Sequence, residues 1–144
     1  LDVAALVQHV AADLAPEALA RGQTLYLDAS QECLVKGENA LLSVLVRNLI
    51  DNSVRYCPPG ALIHVAVHKC PDGILLSFED SGPGMSEKDM ARLGERFYRV
   101  LGNTQPGSGL GWSIVRRIAE VSGVQLEVAR SATLGGLKVT VKWP

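Results

Sequence analysis

The sequence has no apolar run long enough to cross a bilayer as a helix, and no stretch of it is expected to act as a secretory leader. It also lacks an excess of either charge: 14 Lys and Arg against 15 Asp and Glu leave a net charge of −1. Without a basic stripe for phosphate backbones or anionic lipid, no nucleic-acid partner is expected. Cysteine is scarce. Cys33, Cys57 and Cys70 are an odd, scattered set that fits neither a zinc spacing nor a disulfide framework, and reads as reduced thiols. His64 and His68 fall four residues apart on one expected strand, roughly 13 Å, too far to chelate one ion. Internal repeats and low-complexity tracts are absent.

What is present is an ordinary globular balance, 47% hydrophobic and 20% charged over 144 residues. That is one domain's worth of chain, residues 1–144, long enough to bury a core. It begins inside a helical pattern at Leu1 rather than at Met, and reads as a piece of a longer protein.

Apolar Val3, Leu6, Val7, Val10 and Leu14 follow a helical period over residues 2–20, with Pro16 expected to break or offset the second half. Residues 24–29 read as a strand, and a short strand is expected near Leu34 and Val35, ended by Gly37. Residues 38–56 are the strongest helix, with Leu41, Leu42, Leu45, Leu49 and Ser53 as its packing stripe and Cys57-Pro58-Pro59-Gly60 as its stop. Two alternating strands, 61–69 and 73–79, joined through Pro71-Asp72-Gly73, form a hairpin signal. Ser86 caps a short helix through about Gly94. Residues 95–108 are loop-like, 110–122 read as helix ended by Gly123, and strands 124–129 and 136–143 close the chain. The sum is α+β: about three main helices and five to six strands.

Three clusters carry chemistry. On the long helix, Asn48, Asn52, Arg55 and Tyr56 fall in a sector roughly 100° wide. Asparagine is a poor residue inside a helix, so two aligned ones point either to a solvated polar face or to a bound group. Their neutral oxygens suit a Mg²⁺ shared with phosphates. Asp80 ends an apolar strand just before Gly82 and Gly84. It reads either as an Asx-type turn or as an acceptor for an amino group such as adenine's. Gly107-Ser108-Gly109-Leu110-Gly111 opens a helix whose first N–H groups can cradle phosphate. The spacing is not that of a dinucleotide-binding fingerprint, and neither a Walker A loop nor the H-R-D and D-F-G pair is present. Between the second and third clusters stands Arg96-Phe97-Tyr98-Arg99, two arginines beside aromatics on a loop.

In this order the clusters resemble the N, G1, F and G2 boxes of the catalytic and ATP-binding domain of bacterial sensor histidine kinases, in the GHKL superfamily. Residues 47–56 are similar to the N box, 80–84 to G1, 96–99 to the F box and 107–111 to G2, and Gly135-Gly136 resembles the closing glycine pair. The stretch Gly94 to Arg99 looks closest to the OmpR-partnered kinases of the QseC and PmrB type. The resemblance implies a Bergerat fold, a two-layer α/β sandwich with a mixed sheet. It implies ATP and Mg²⁺ as ligands, with Asn52 on the metal, Asn48 supporting it and Arg55 reaching phosphate. Tyr56 would pack on adenine, Asp80 would accept from its amino group, and Gly82 and Gly84 would shape that pocket. Gly107, Gly109, Leu110 and Gly111 would face phosphate, and Phe97 and Arg99 belong to an expected lid over residues 95–108. Two departures stand out: Ser53 where Ala is commoner, expected to face the core, and Trp112 where Leu is usual, expected to alter lid packing.

Members of the superfamily that hydrolyse ATP use a glutamate one turn before the metal asparagine. Here that position is Asn48, and an amide is no general base. Transfer to an external nucleophile is therefore expected, helped by positioning and charge neutralisation. The resemblance places the acceptor histidine on a separate dimerisation domain, and His9 lacks the surrounding acid and proline. It further implies relay to an OmpR-like response regulator, and a cytoplasmic domain of an inner-membrane homodimer. Two alternatives stand beside this: an ATPase or serine-directed kinase of the same superfamily, and a nucleotide-responsive module without catalysis.

Overall fold

A computed structural model describes residues 1–93 and 110–144. The apolar period of the first segment becomes helix α1 (Val3–Ala20), started by Asp2, whose carboxylate accepts from the Ala4 N–H at 3.1 Å and from the Cys33 N–H at 2.9 Å. Contrary to expectation, α1 runs unbroken through Pro16. Pro16 lies on the exposed face, where the carbonyl it orphans meets water, while Leu14 and Ala18 on the other face stay buried.

Strand β1 (Thr24–Asp28) follows, then helix α2 (Asn39–Tyr56). The strand expected near Leu34 and Val35 is instead one isolated bridge from Leu34 to Asp2, because this stretch pairs with the first residues of the chain and never joins the sheet. Strands β2 (Leu62–Cys70) and β3 (Gly73–Asp80) form the expected hairpin, with Cys70 opposite Gly73. Helix α3 (Glu87–Arg92) starts at Ser86, whose hydroxyl accepts from the Asp89 N–H at 3.1 Å. Helix α4 (Leu110–Ser122), strand β4 (Gln125–Arg130) and strand β5 (Leu137–Trp143) complete the described elements.

The five strands are ordered β1-β2-β3-β5-β4. β1 runs parallel to β2 and every other pairing is antiparallel, so the sheet is mixed. Ile63, Val65, Leu76, Phe78, Val139 and Val141 face one way and meet the buried stripes of α1, α2 and α4 in a single apolar cluster. Each such Val, Leu or Ile contributes ~1.5–3 kcal/mol by burial. Trp112 is part of that cluster. No helix among the described residues is long and apolar enough to cross a membrane.

Candidate functional site: a polar cleft between α2, α4 and the β3 terminus

The site begins with how α2 ends. Gln23, buried between α1 and β1, donates through Nε2 to the carbonyls of Val54 and Cys57, both at 2.9 Å. Arg21 donates to the Arg55 carbonyl at 3.0 Å. These two side chains satisfy the last carbonyls of α2, which have no partner inside the helix. Pro58 then forbids another turn. The end of α2 is thereby tied to the connection between α1 and β1, and Ser53 in its last turns faces Asp80 at the end of β3.

At that junction stands Asp80, 6% exposed. Its Oδ1 accepts from the Gly82 N–H at 3.0 Å and the Leu137 N–H at 3.2 Å. The Gly82 bond is the Asx-type turn that the sequence offered as one alternative. Oδ2 faces the Ser53 hydroxyl at 3.4 Å. The turn and an outward-facing acceptor thus coexist on one carboxylate.

Glycines make room for this arrangement. A Cβ on Gly82 would sit 2.8 Å from the Cys57 sulfur. A Cβ on Gly136 would sit 2.8 Å from the Gly82 nitrogen, and closer still to Asp80 Oδ1 and the Asp80 carbonyl oxygen. Gly84, at φ +68°, packs against the Gly136 backbone. Burial and, next, the Asp80 carboxylate push the Cys57 thiol up to about 12, which keeps it protonated and avoids a second negative charge beside Asp80.

One turn back along α2, Asn48 donates from Nδ2 to the Val44 carbonyl at 2.9 Å. That bond turns its Oδ1 toward the first turn of α4. The point where a Gly111 side chain would begin lies 3.4 Å from Asn48 Oδ1 and 3.6 Å from Asn52 Oδ1. Asn52 Nδ2 is buried beside the same point with no hydrogen-bond partner among the described residues. A buried amide left unpaired is costly, by about 1–3 kcal/mol, and is commonly explained by an absent ligand. Two neutral carbonyl-type oxygens and an orphaned donor, at the electropositive start of a helix, fit a divalent cation together with phosphate oxygens. Arg55 pairs with Asp51 at 3.1 Å from the same helix, and Tyr56 is half-buried in its last turn.

The structure therefore brings Asn48, Asn52, Asp80, Gly82, Gly84 and Gly111 around one cleft, with Leu110 heading α4. Phe97, Arg99, Gly107 and Gly109, and the lid expected over residues 95–108, lie outside the described residues. Ser53 needs correction. It belongs to the cleft, not to the core, because its hydroxyl faces the Asp80 carboxylate at the end of β3 while its neighbour Val54 takes the buried position. Sequence reasoning also left Gln23, Cys57 and Gly136 out of the site. The Gly-Gly doublet before a strand was a signal for Gly136, whereas nothing in the sequence marks Gln23.

This fold is that of a GHKL domain. The model of the family described as "Histidine kinase-, DNA gyrase B-, and HSP90-like ATPase" matches residues 37–144, and the chain belongs to that family. It is 38% identical over 140 residues to the swarming motility regulation sensor protein RssA of Serratia marcescens, covering 96% of this chain and 29% of that protein. It is 47% identical over 107 residues to sensor protein QseC of Escherichia coli, covering 74% of this chain and 23% of that one. Among solved structures, a mycobacterial sensor histidine kinase, MprB, superposes with TM-score 0.87 at 24% identity, covering 100% of this chain and 96% of that one. The cytoplasmic segment of histidine kinase QseC superposes with TM-score 0.73 at 27% identity, over 100% of this chain and 76% of that one. The chain spans less than a third of the length of these two curated relatives.

Proposed function

We propose that this chain binds Mg-ATP and donates the γ-phosphoryl group to a histidine on a separate dimerisation domain, for relay to a response-regulator aspartate. The observation that carries the reading is the convergence of Asn48 Oδ1 and Asn52 Oδ1 on the Gly111 turn of α4. Asp80 takes the adenine amino group. Asn52, supported by Asn48, is the cation ligand, and Arg55 reaches phosphate once it leaves Asp51. The first N–H groups of α4, from Leu110 and Gly111, face phosphate oxygens. Mg²⁺ held there supplies neutralisation of the charge on the transferred group.

Transfer is favoured over hydrolysis by one detail. Asn48 already donates to the Val44 carbonyl and presents only an amide oxygen to the cleft, so no side chain at this position can deprotonate water. The names of the relatives, sensor proteins and sensor histidine kinases, support the same assignment. In the full-length protein the partners are its own dimerisation domain and an OmpR-like response regulator, and the assembly is a membrane-bound homodimer with this domain in the cytoplasm.

Calorimetric titration with a non-hydrolysable ATP analogue tests the reading. Micromolar-range binding is expected, weakened by Asp80→Ala, with a Mg²⁺ effect that Asn52→Ala removes. Incubated alone with labelled ATP, the chain acquires no stoichiometric phosphohistidine, because His9 is an exposed residue of α1 outside the cleft. A folded chain that binds no nucleotide would refute the proposal, and so would phosphohistidine on this chain alone.

A further inference from the structure

The Asp80 carboxylate is used unevenly. Two backbone N–H groups fix Oδ1, whereas Oδ2 has the Ser53 hydroxyl at 3.4 Å. Hydroxyl-to-carboxylate bonds are normally 2.5–2.7 Å, so this contact is long and weak. A hydroxyl rotor held so loosely can turn to another acceptor at little loss. Ser53 is half-buried, one residue beyond Asn52, and therefore opens onto the cleft.

A carboxylate can only accept. It reads an amino group but leaves a neighbouring ring nitrogen without a donor. The edge of adenine carries the amino group and the N1 acceptor side by side. The edge of guanine reverses both, with O6 as acceptor and N1–H as donor. Resting on the reading of this cleft as an ATP site, we propose that Ser53 is a base-specificity residue. Its hydroxyl leaves Asp80 Oδ2 when adenine arrives and donates to N1, while the amino group donates to Oδ2. The pair of Ser53 donor and Asp80 acceptor then matches adenine and mismatches guanine. No bond is made or broken beyond these hydrogen bonds. The neighbouring Cys57 thiol stays protonated and has the Asp80 carboxylate and the Gly82 backbone as its own hydrogen-bond partners, and sulfur is a weaker donor than a hydroxyl.

The test is a thermodynamic cycle between one residue and one ligand atom. The binding of ATP and of 1-deaza-ATP, in which N1 is a C–H, is measured by calorimetry on the unaltered chain and on Ser53→Ala. The unaltered chain is expected to bind 1-deaza-ATP about 10-fold more weakly than ATP, the loss of one hydrogen bond to a buried acceptor. Ser53→Ala is expected to bind ATP about 10-fold more weakly and to lose nothing further with 1-deaza-ATP. Losses that multiply to about 100-fold would show that Ser53 and N1 act independently and overturn the proposal. Equal binding of both nucleotides by the unaltered chain overturns it without any variant. If the chain binds neither nucleotide, it is the ATP assignment that fails, which is a separate result.

Discussion

Replacing Gly136 by Ala puts one methyl group where the structure has least room for it. The nearest atoms are Asp80 Oδ1, the Asp80 carbonyl oxygen and the Gly82 nitrogen; the last two are backbone, and Oδ1 is held by the Gly82 and Leu137 N–H groups. Three hydrogen bonds run through the same few atoms. Gly136 N–H donates to the Asp80 carbonyl at 3.0 Å, and Leu137 and Gly82 donate to Oδ1. Relief of the clash must move either the β5 start or the β3 end, breaking one or two of these bonds. Overpacking costs ~1–3 kcal/mol and each lost bond ~0.5–1.5 kcal/mol, so Gly136→Ala should destabilise by about 1.5–6 kcal/mol. Displaced Asp80 should also lower the affinity for an adenine nucleotide by 10-fold or more, since 1.4 kcal/mol corresponds to about that factor. Gly135→Ala is the comparison. Its φ of +89° makes Ala strained, but nothing lies within 4 Å of the added carbon. It should cost about 1–2 kcal/mol and leave affinity intact. Urea denaturation and calorimetry on both variants decide. If Gly136→Ala loses less stability than Gly135→Ala, or keeps full affinity, the reasoning is wrong.

Gln23→Leu should cost about 2–4 kcal/mol in urea denaturation, because it leaves the Val54 and Cys57 carbonyls unpaired in a buried place; a loss below about 1 kcal/mol would mean that water takes over the role. Asn52→Ala should leave stability unchanged or slightly raised, since it deletes a buried donor that has no partner, while abolishing the Mg²⁺ dependence of nucleotide binding. The Cys57 thiol gives a pH signature. Its value is raised from 9.0 to about 12 in the folded chain, so between pH 9 and 12 the unfolded chain gives up a proton that the folded chain keeps. Stability tied to this group is complete below about pH 9 and falls as pH rises toward 12. Cys57→Ala should flatten that part of the pH–stability curve, and an unchanged slope would remove Cys57 as its cause.

Most helices and strands were legible because their apolar periods are clear, and their bounds moved by one or two residues. What was not legible depends on which element faces which. The stripe Leu42, Leu49 and Ser53 is straight along α2, so sequence alone placed Ser53 in the core. Only the packed structure shows that the sheet beneath it ends in Asp80. Pro16 was overread because its cost depends on which side of α1 it falls. The stretch around Leu34 has strand character, but its partner is Asp2, thirty-two residues away in sequence. Asn48, Asn52, Asp80 and Gly111 were each ambiguous alone. Their order carried the inference, and the structure places all four at one cleft.

The atoms that hold Asp80 come from the register of β3 against β5: Glu79 pairs with Lys138, so Asp80 meets the strand's first N–H at Leu137. The end of the cleft proposed to take the purine is thus an extension of the sheet's own hydrogen-bond ladder. Its geometry is set by the strand pairing itself, so little conformational entropy should be left to lose there on binding. It can come apart only when the β3–β5 seam does. In hydrogen exchange, the Gly82, Gly136 and Leu137 amides should open with the globally protected core rather than with the surface loops. A mutation anywhere along that seam that shifts its register by one residue should erase the proposed base recognition, however far it lies from the cleft.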